Sequence, residues 1–179
     1  MKKITMIPII LAATSIILFV AIILRYEHQL GQAQSIYAEL KPVDPRSLLQ
    51  GDYMVLNYDL NLHDMSEQDI KNKSSLIGYV YLDAHRRIIK TNLDFTRFNE
   101  GEKAIKLVLK NPNNQLDSLY PAANSFLFSE GLATCYNDAE YAHLRVNSNG
   151  KALLVGLVDQ NLKSLQCEQL KNWANDHIQ

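Results

Sequence analysis

The sequence predicts a mainly β protein: an antiparallel sheet of sandwich-like or barrel-like form, one N-terminal transmembrane helix and a short C-terminal helix. An uncharged apolar run opens the chain, and segments with alternating apolar and polar residues follow it. Clusters of Asn, Gly, Pro and Asp separate those segments, as is typical of strands joined by turns. With 179 residues, 47% of them hydrophobic, the chain is long enough for one compact domain with a packed core.

The apolar run extends from Ile4 to Leu24 and contains no charged residue. As an α-helix these residues would span about 31 Å, which matches the hydrocarbon core of a bilayer. Backbone groups in lipid must bond to one another, and a single segment achieves this only as a helix. We therefore expect residues 1–25 to form a membrane anchor, with the lipid bilayer as the partner of this run.

A cleaved signal peptide is the alternative interpretation, with Lys2 and Lys3 as its basic start. However, the run is longer than the roughly 7–15 apolar residues of a typical signal peptide. The nearest small-residue cleavage pattern, at residues 31–33, lies beyond the charged side chains of Arg25 and Glu27. The sequence therefore favours a retained signal anchor.

Basic residues flank the run unequally. Lys2 and Lys3 precede it, whereas Arg25 follows it and is partly offset by Glu27. Cytoplasmic flanks of membrane helices are enriched in Lys and Arg. We expect a single-pass protein of the inner membrane, with a cytoplasmic N-terminus and a domain in the periplasm or outside.

Period-two patterning dominates residues 26–160, which we assign to one extracytoplasmic domain. The clearest hairpin joins two apolar-rich segments through Asn147-Ser148-Asn149-Gly150, a turn-forming sequence. Residues 64–75 are polar and predict a loop with at most one helical turn. In the tail of residues 161–179, near-helical spacing of Leu and Trp predicts an amphipathic helix over about 163–174. The predicted strands are 36–40, 54–62, 76–82, 87–93, 104–110, 125–129, 141–146 and 152–158.

Composition and spacing exclude several kinds of site. Without residues 1–25 the chain has 15 basic and 19 acidic residues, a net charge of −4, which is unsuited to nucleic-acid phosphates. The five histidines have no metal-ligand spacing, and we find no nucleophile motif or phosphate-binding loop. The sequence therefore predicts no catalytic residue, no metal site, no cofactor and no nucleic-acid partner.

The two cysteines, Cys135 and Cys167, do not form a CxxC pair. In an exported domain they could form a disulfide that joins the tail to the sheet. The alternative is two free, half-buried thiols, and sequence alone does not give the Cα separation that decides between them.

The densest local pattern lies between residues 42 and 53, where two prolines restrict the backbone before a predicted strand. Arg46 and Asp52 carry opposite charges and could pair across this turn, while Gly51 accommodates a positive φ. The simplest interpretation is a rigid corner between strands. A ligand or partner site that includes Asp44 is the other.

Residues 51–58 read Gly-Asp-Tyr-Met-Val-Leu-Asn-Tyr. The chain resembles the GDYXXLXY family of bacterial membrane-anchored proteins, whose fixed positions correspond here to Gly51, Asp52, Tyr53, Leu56 and Tyr58. The preceding Pro42, Asp44, Pro45 and Arg46, and the later Phe128-Ser129-Glu130-Gly131, are also similar to that family. The resemblance covers about residues 5–160 and implies a single span with an extracytoplasmic domain.

The family has no established biochemical activity, and its members are often associated with multi-spanning membrane proteins. The resemblance therefore implies a non-catalytic accessory or interaction protein of the cell envelope, acting with such a partner. The alternative is a cell-envelope hydrolase or ligand-binding module that uses Arg46, Asp52 and Glu130. The motif residues Asp44, Arg46, Gly51, Asp52, Tyr53, Leu56, Tyr58 and Glu130 are the candidates for either role.

Overall fold

A computed structural model describes residues 6–41, 53–95 and 104–169. The chain forms two compact units that divide between Ala33 and Gln34. The first contains helix α1, Met6–Gly31, whose 26 residues extend about 39 Å. Of the helices described, α1 alone is long and apolar enough to cross a membrane, through Pro8–Arg25.

The second unit is built mainly from strands; two short α-helices, a 3-10 turn at Leu116–Ser118 and the helical residues from 167 complete its described secondary structure. Apolar residues alternate with polar ones along most of these strands, so each sheet buries one face. The strands are β1 Gln34–Leu40, β2 Tyr53–Val55, β3 Tyr58–Asp59, β4 Ser75–Leu82, β5 Ile88–Asn92, β6 Ala104–Lys110, β7 Ser125–Leu127, β8 Tyr141–Val146 and β9 Ala152–Val158; the helices are α2 Glu67–Ile70 and α3 Ala133–Tyr136.

The largest sheet has four antiparallel strands in the order β3-β1-β8-β9. Strand β1 is central, and its register places Ile36 opposite Leu144 and Ala38 opposite Ala142. All four side chains are fully buried. The β8–β9 hairpin has the predicted turn, in which Gly150 adopts φ +83°.

The described residues form two further antiparallel sheets: β5-β4-β6, and the two-stranded ribbon β2-β7. A parallel bridge between Tyr37 and Arg87 connects β1 to the start of β5. On the other side of the three-stranded sheet, the Val108 amide donates a 2.8 Å hydrogen bond to the Gly150 carbonyl. The sheets enclose one core in the manner of a half-barrel, and the predicted mainly β fold class is confirmed.

The segment predicted as one strand over 54–62 is divided. Its burial still alternates, with Met54, Leu56, Tyr58 and Leu60 inside. However, the backbone pairs with β7 as far as Leu56 and with β1 from Asn57, whose carbonyl accepts from the Lys41 amide. Apolar periodicity reports which side chains are buried and not which strand supplies the hydrogen bonds.

The polar segment 64–75 contains the single helical turn α2. Ser66 and Asp69 form a reciprocal capping box at its start, and Ile70 at its end is fully buried. In the tail, Val158 and Ser164 form a bridge, so helical structure begins only at residue 167. The remainder of the predicted tail helix lies outside the described residues.

Candidate functional site

The first described residues of the GDYXXLXY-like segment, Tyr53–Val55, form strand β2 of the ribbon β2-β7. Tyr53 lies opposite Leu127, Met54 opposite Phe126 and Val55 opposite Ser125. Because side chains alternate across a strand, Met54 points into the core, while Tyr53 and Val55 lie on the other side. The ribbon therefore has one buried face and one exposed face.

Two motif residues secure the chain after the ribbon. Leu56 is buried, and its amide donates to the Asn124 carbonyl at 2.9 Å. Tyr58 is also buried, and its hydroxyl donates to the Ala123 carbonyl at 2.7 Å. Burial raises the pKa of Tyr58 well above its usual value, so its hydroxyl stays protonated as a hydrogen-bond donor. Both residues have a structural role.

On the outward side of the ribbon three apolar side chains lie beside the half-buried Ser125. We call Tyr53, Val55 and Leu127 the motif face. Tyr53 and Val55 are each 40% exposed, and Leu127 is 76% exposed. Exposed apolar side chains that adjoin one another are typical of surfaces that bind another molecule. Tyr53 and Val55 of the motif face, together with the exposed Asn57, form the accessible surface of the described part of the motif.

An aromatic cluster and a disulfide lie next to this ribbon. The ring centroid of Tyr136 on α3 lies 5.2 Å from that of Phe126 and 5.1 Å from that of Phe128. One residue before Tyr136, Cys135 is joined to Cys167 in a disulfide. Of the two states that the sequence left open for the cysteines, the structure has the bridged one, which attaches the tail to α3.

A second link reinforces this attachment. The carboxylate of Glu168 accepts hydrogen bonds from the Ser129 amide at 3.2 Å and from its hydroxyl at 2.9 Å. Burial, and to a smaller extent the charge of Glu168, raise the pKa of Tyr136. The ribbon, α3 and the start of the tail therefore form one tightly connected region.

The predicted site residues divide into two groups. Asp44, Arg46, Gly51 and Asp52, together with the suggested Arg46–Asp52 pair, lie outside the described residues. Glu130 is described and is exposed in the turn between β7 and α3, beside Gly131 at φ +85°. Leu127 and Tyr136 were not among the predicted site residues, although Leu127 falls within a predicted strand and Tyr136 was expected to pack in the core.

No set of three or more His, Cys, Asp or Glu side chains in the described part of the chain is arranged to hold a metal ion. The region around the ribbon offers exposed apolar side chains beside the disulfide and the hydrogen bonds of Glu168.

The comparison with family models agrees with the motif. The model of the GDYXXLXY protein family matches residues 15–157, which include all of the described strands except the last residue of β9. The chain belongs to the GDYXXLXY family. A search of the curated proteins finds no match, and neither does a search of the solved structures. Of the five fixed positions of the GDYXXLXY motif, three are described here: Leu56 and Tyr58 are core residues, and Tyr53 contributes to the exposed motif face.

Proposed function

We propose that this GDYXXLXY protein is a non-catalytic accessory protein, anchored in the inner membrane by a single span. In this proposal its N-terminus is cytoplasmic and its β domain lies outside the cytoplasm, where it docks onto a multi-spanning membrane protein. The observation that carries the proposal is an apolar helix with satisfied hydroxyls, joined directly to a disulfide-bonded domain.

The helix has the properties required of a span in lipid. The side chains from Pro8 to Arg25 are exposed. Those up to Leu24 carry no charge, and all of them except Thr14 and Ser15 are apolar. The hydroxyl of Thr14 donates to the Ile10 carbonyl at 2.7 Å, and that of Ser15 to the Leu11 carbonyl at 3.0 Å. Hydroxyls bonded within their own helix can enter the hydrocarbon region without an unpaired donor.

The disulfide supports a location outside the cytoplasm. Disulfides persist in the periplasm and in secreted proteins, whereas cytosolic thiols are kept reduced. The bridge between Cys135 and Cys167 joins parts of the chain that are 32 residues apart. This argument agrees with the orientation favoured by Lys2 and Lys3 before the span.

Retention of the helix is supported by its position. Only Gln32 and Ala33 separate the end of α1 at Gly31 from the start of β1 at Gln34. Strand β1 is an inner strand of the largest sheet. A single span of this kind keeps the attached domain near other membrane proteins and raises its effective concentration towards them. The motif face offers those proteins an apolar contact surface.

Two fractionation experiments test the anchor and its orientation. After extraction with alkaline carbonate, we expect the full-length protein in the membrane pellet. Protease added to spheroplasts should degrade the domain. Recovery in the supernatant would contradict the anchor, and protection from protease would contradict the orientation.

Photo-crosslinking tests the partner. A photoreactive amino acid at Leu127, in the motif face, should give an adduct with a multi-spanning membrane protein in intact cells. The matched control carries the same group at Gln160, an exposed turn residue beyond β9. Val55→Asp should reduce the Leu127 adduct without lowering the protein's melting temperature. Equal adducts from both positions would contradict docking through the motif face.

A further inference from the structure

The outward face of the sheet β5-β4-β6 differs from the rest of the domain. On β4, Leu76, Gly78 and Val80 are buried, so Ser75, Ile77 and Tyr79 lie on the opposite face, which ends at the buried Tyr81. Register places Ile77 beside Val108 and Tyr79 beside Lys106 on that face. This outward face therefore combines apolar, aromatic and basic side chains.

The charged residues of these three strands are all basic. Strands β4, β5 and β6 contain Lys90, Lys106 and Lys110 and no Asp or Glu. Lys73, in the turn before β4, adds a fourth basic residue. The chain beyond residue 25 has a net charge of −4, so this sheet is a locally positive area on an acidic protein.

Apolar side chains adjoin these lysines. Ile77 is 44% exposed and Phe95 is 58% exposed, and the Phe95 and Tyr79 ring centroids are 5.2 Å apart. An open depression of about 390 Å³ lies against the sheet, lined by Lys73, Ser75, Leu76, Ile77, Leu93 and Val108. We call Ile77, Tyr79, Leu93, Phe95 and Val108, with Lys73 and Lys106, the sheet patch.

Acidic residues line an adjoining depression, and the Nζ of Lys73 in the sheet patch donates a 2.6 Å hydrogen bond to the backbone carbonyl of one of them, Asp69. Asp94, between Leu93 and Phe95 in the sequence, lines this depression together with Asp64, Asp69 and His63. Leu93 is the residue that the two depressions share. The basic and acidic surfaces thus adjoin without lining the same depression.

We propose that the sheet patch docks onto the anionic headgroup surface of the bilayer that holds α1, an inference that rests on the proposed anchor. Lysines are attracted to anionic lipids, and aromatic and aliphatic side chains beside them enter the interfacial region. The short connection between α1 and β1 keeps the domain within reach of that surface. The charge of the patch is complementary to anionic lipid, whereas the domain as a whole is repelled by it.

The test uses the full-length protein in nanodiscs of phosphatidylcholine, with or without phosphatidylglycerol. Because both native cysteines are bridged, Ser75→Cys provides one reactive thiol for a fluorophore beside the sheet patch. Gln160→Cys is the control position. Lipids that carry a headgroup spin label quench a fluorophore only when it is close to the bilayer surface.

We expect stronger quenching at Ser75→Cys in discs that contain phosphatidylglycerol, and no such increase at Gln160→Cys. Replacing both Lys73 and Lys106 by Glu should lower the ratio of docked to undocked molecules by about tenfold or more. About 0.5 M salt, where the Debye length is about 4 Å, should have a similar effect. Ile77→Ser should weaken docking without changing its salt dependence.

The failures of the two proposals are distinguishable. A protein that does not remain with the discs contradicts the anchor. A protein that remains, but whose Ser75 and Gln160 fluorophores are quenched equally in anionic discs, overturns the sheet-patch proposal alone. Quenching at Ser75 that is unchanged by the lysine reversals also overturns it, and so does equally strong quenching at Ser75 in discs without phosphatidylglycerol.

Discussion

The hydroxyl of Tyr58 donates a 2.7 Å hydrogen bond to the backbone carbonyl of Ala123, which lies 65 residues further along the chain. This bond joins the last residue of the GDYXXLXY motif to the segment that leads into β7. The motif is therefore a long-range structural connection, and two expectations about stability depend on it.

Tyr58→Phe removes this donor and keeps the ring. We expect the free energy of unfolding to fall by about 1–2 kcal/mol, because the Ala123 carbonyl loses its partner in a part-buried position. Tyr53→Phe is the matched control, since Tyr53 belongs to the same motif and is exposed; we expect a change within about 0.5 kcal/mol. Denaturant unfolding of the purified chain in detergent measures both, and equal effects would contradict the role assigned to Tyr58.

Alkaline pH should also act through Tyr58. Burial raises its pKa above the value of 10.0 expected in the unfolded chain, so the folded state retains a proton that the unfolded state loses. The resulting stability is fully present below about pH 10 and decreases as the pH rises above that value. In melts between pH 8 and pH 11, Tyr58→Phe should show a smaller decrease than the native chain, and parallel curves would contradict this.

On the acid side, His143 is the residue to test. Burial, and then the charge of Arg145, lower its pKa below 6.5, and its ring stacks on Tyr37 with centroids 5.0 Å apart. The unfolded state binds the proton more readily, so stability should fall as the pH decreases below about 6.5. His143→Phe keeps an aromatic ring and should reduce this dependence between pH 7.5 and 5.5. An unchanged slope would assign the dependence to other groups.

Reduction of the disulfide should loosen the tail. Closing a loop of 32 residues restricts the unfolded chain by about 3–4 kcal/mol in the chain-entropy model. We expect the double variant Cys135→Ala/Cys167→Ala to lose about 2–4 kcal/mol, measured by denaturant unfolding without reductant. Glu168→Gln, which keeps the bridge, is the control and should lose less than half as much. A double variant as stable as the native chain would contradict this assignment.

Substitutions at three glycines should distinguish the cost of a positive φ from the cost of steric crowding. Gly150 adopts φ +83°, and a Cβ there would lie 3.0 Å from the Lys106 carbonyl oxygen, so Gly150→Ala should cost about 2–3 kcal/mol. Gly131 adopts φ +85° with open space around it, and its change to Ala should cost about 1 kcal/mol. Gly156 has neither constraint, so Gly156→Ala should stay within about 0.5 kcal/mol. Melting curves of the three variants should follow this order.

The sequence was most informative where local patterns determine structure. Alternation and turn chemistry predicted β6 and the β8–β9 hairpin with its Gly150 turn, because neighbouring residues supply both the pairing and the turn. The same patterns did not reveal that the 54–62 segment changes partner at Asn57, since that depends on where β1 and β7 lie in space. The helix α3 was also missed, because its four residues are too few to show a helical period.

The candidate site follows the same division. Burial of Leu56 and Tyr58 agrees with their alternation in the sequence, but the exposed motif face depends on the pairing of Tyr53 with Leu127 across more than seventy residues. The state of the cysteines depends on a separation in space, 5.9 Å between their Cα atoms, that no spacing in the sequence specifies. Long-range pairing is therefore what the structure adds.

The central position of β1 determines when this domain can fold. Its backbone pairs with β8, so that Gln34 meets Val146, yet ribosomes complete β1 more than a hundred residues before they complete β8. At a synthesis rate of about 5–20 residues per second, β1 waits for several seconds or longer without its partner. Vectorial folding from the N-terminus is excluded for the largest sheet, which assembles only when nearly the whole domain has left the ribosome. In the proposed orientation the chain would cross the membrane unfolded and acquire its tertiary structure on the far side.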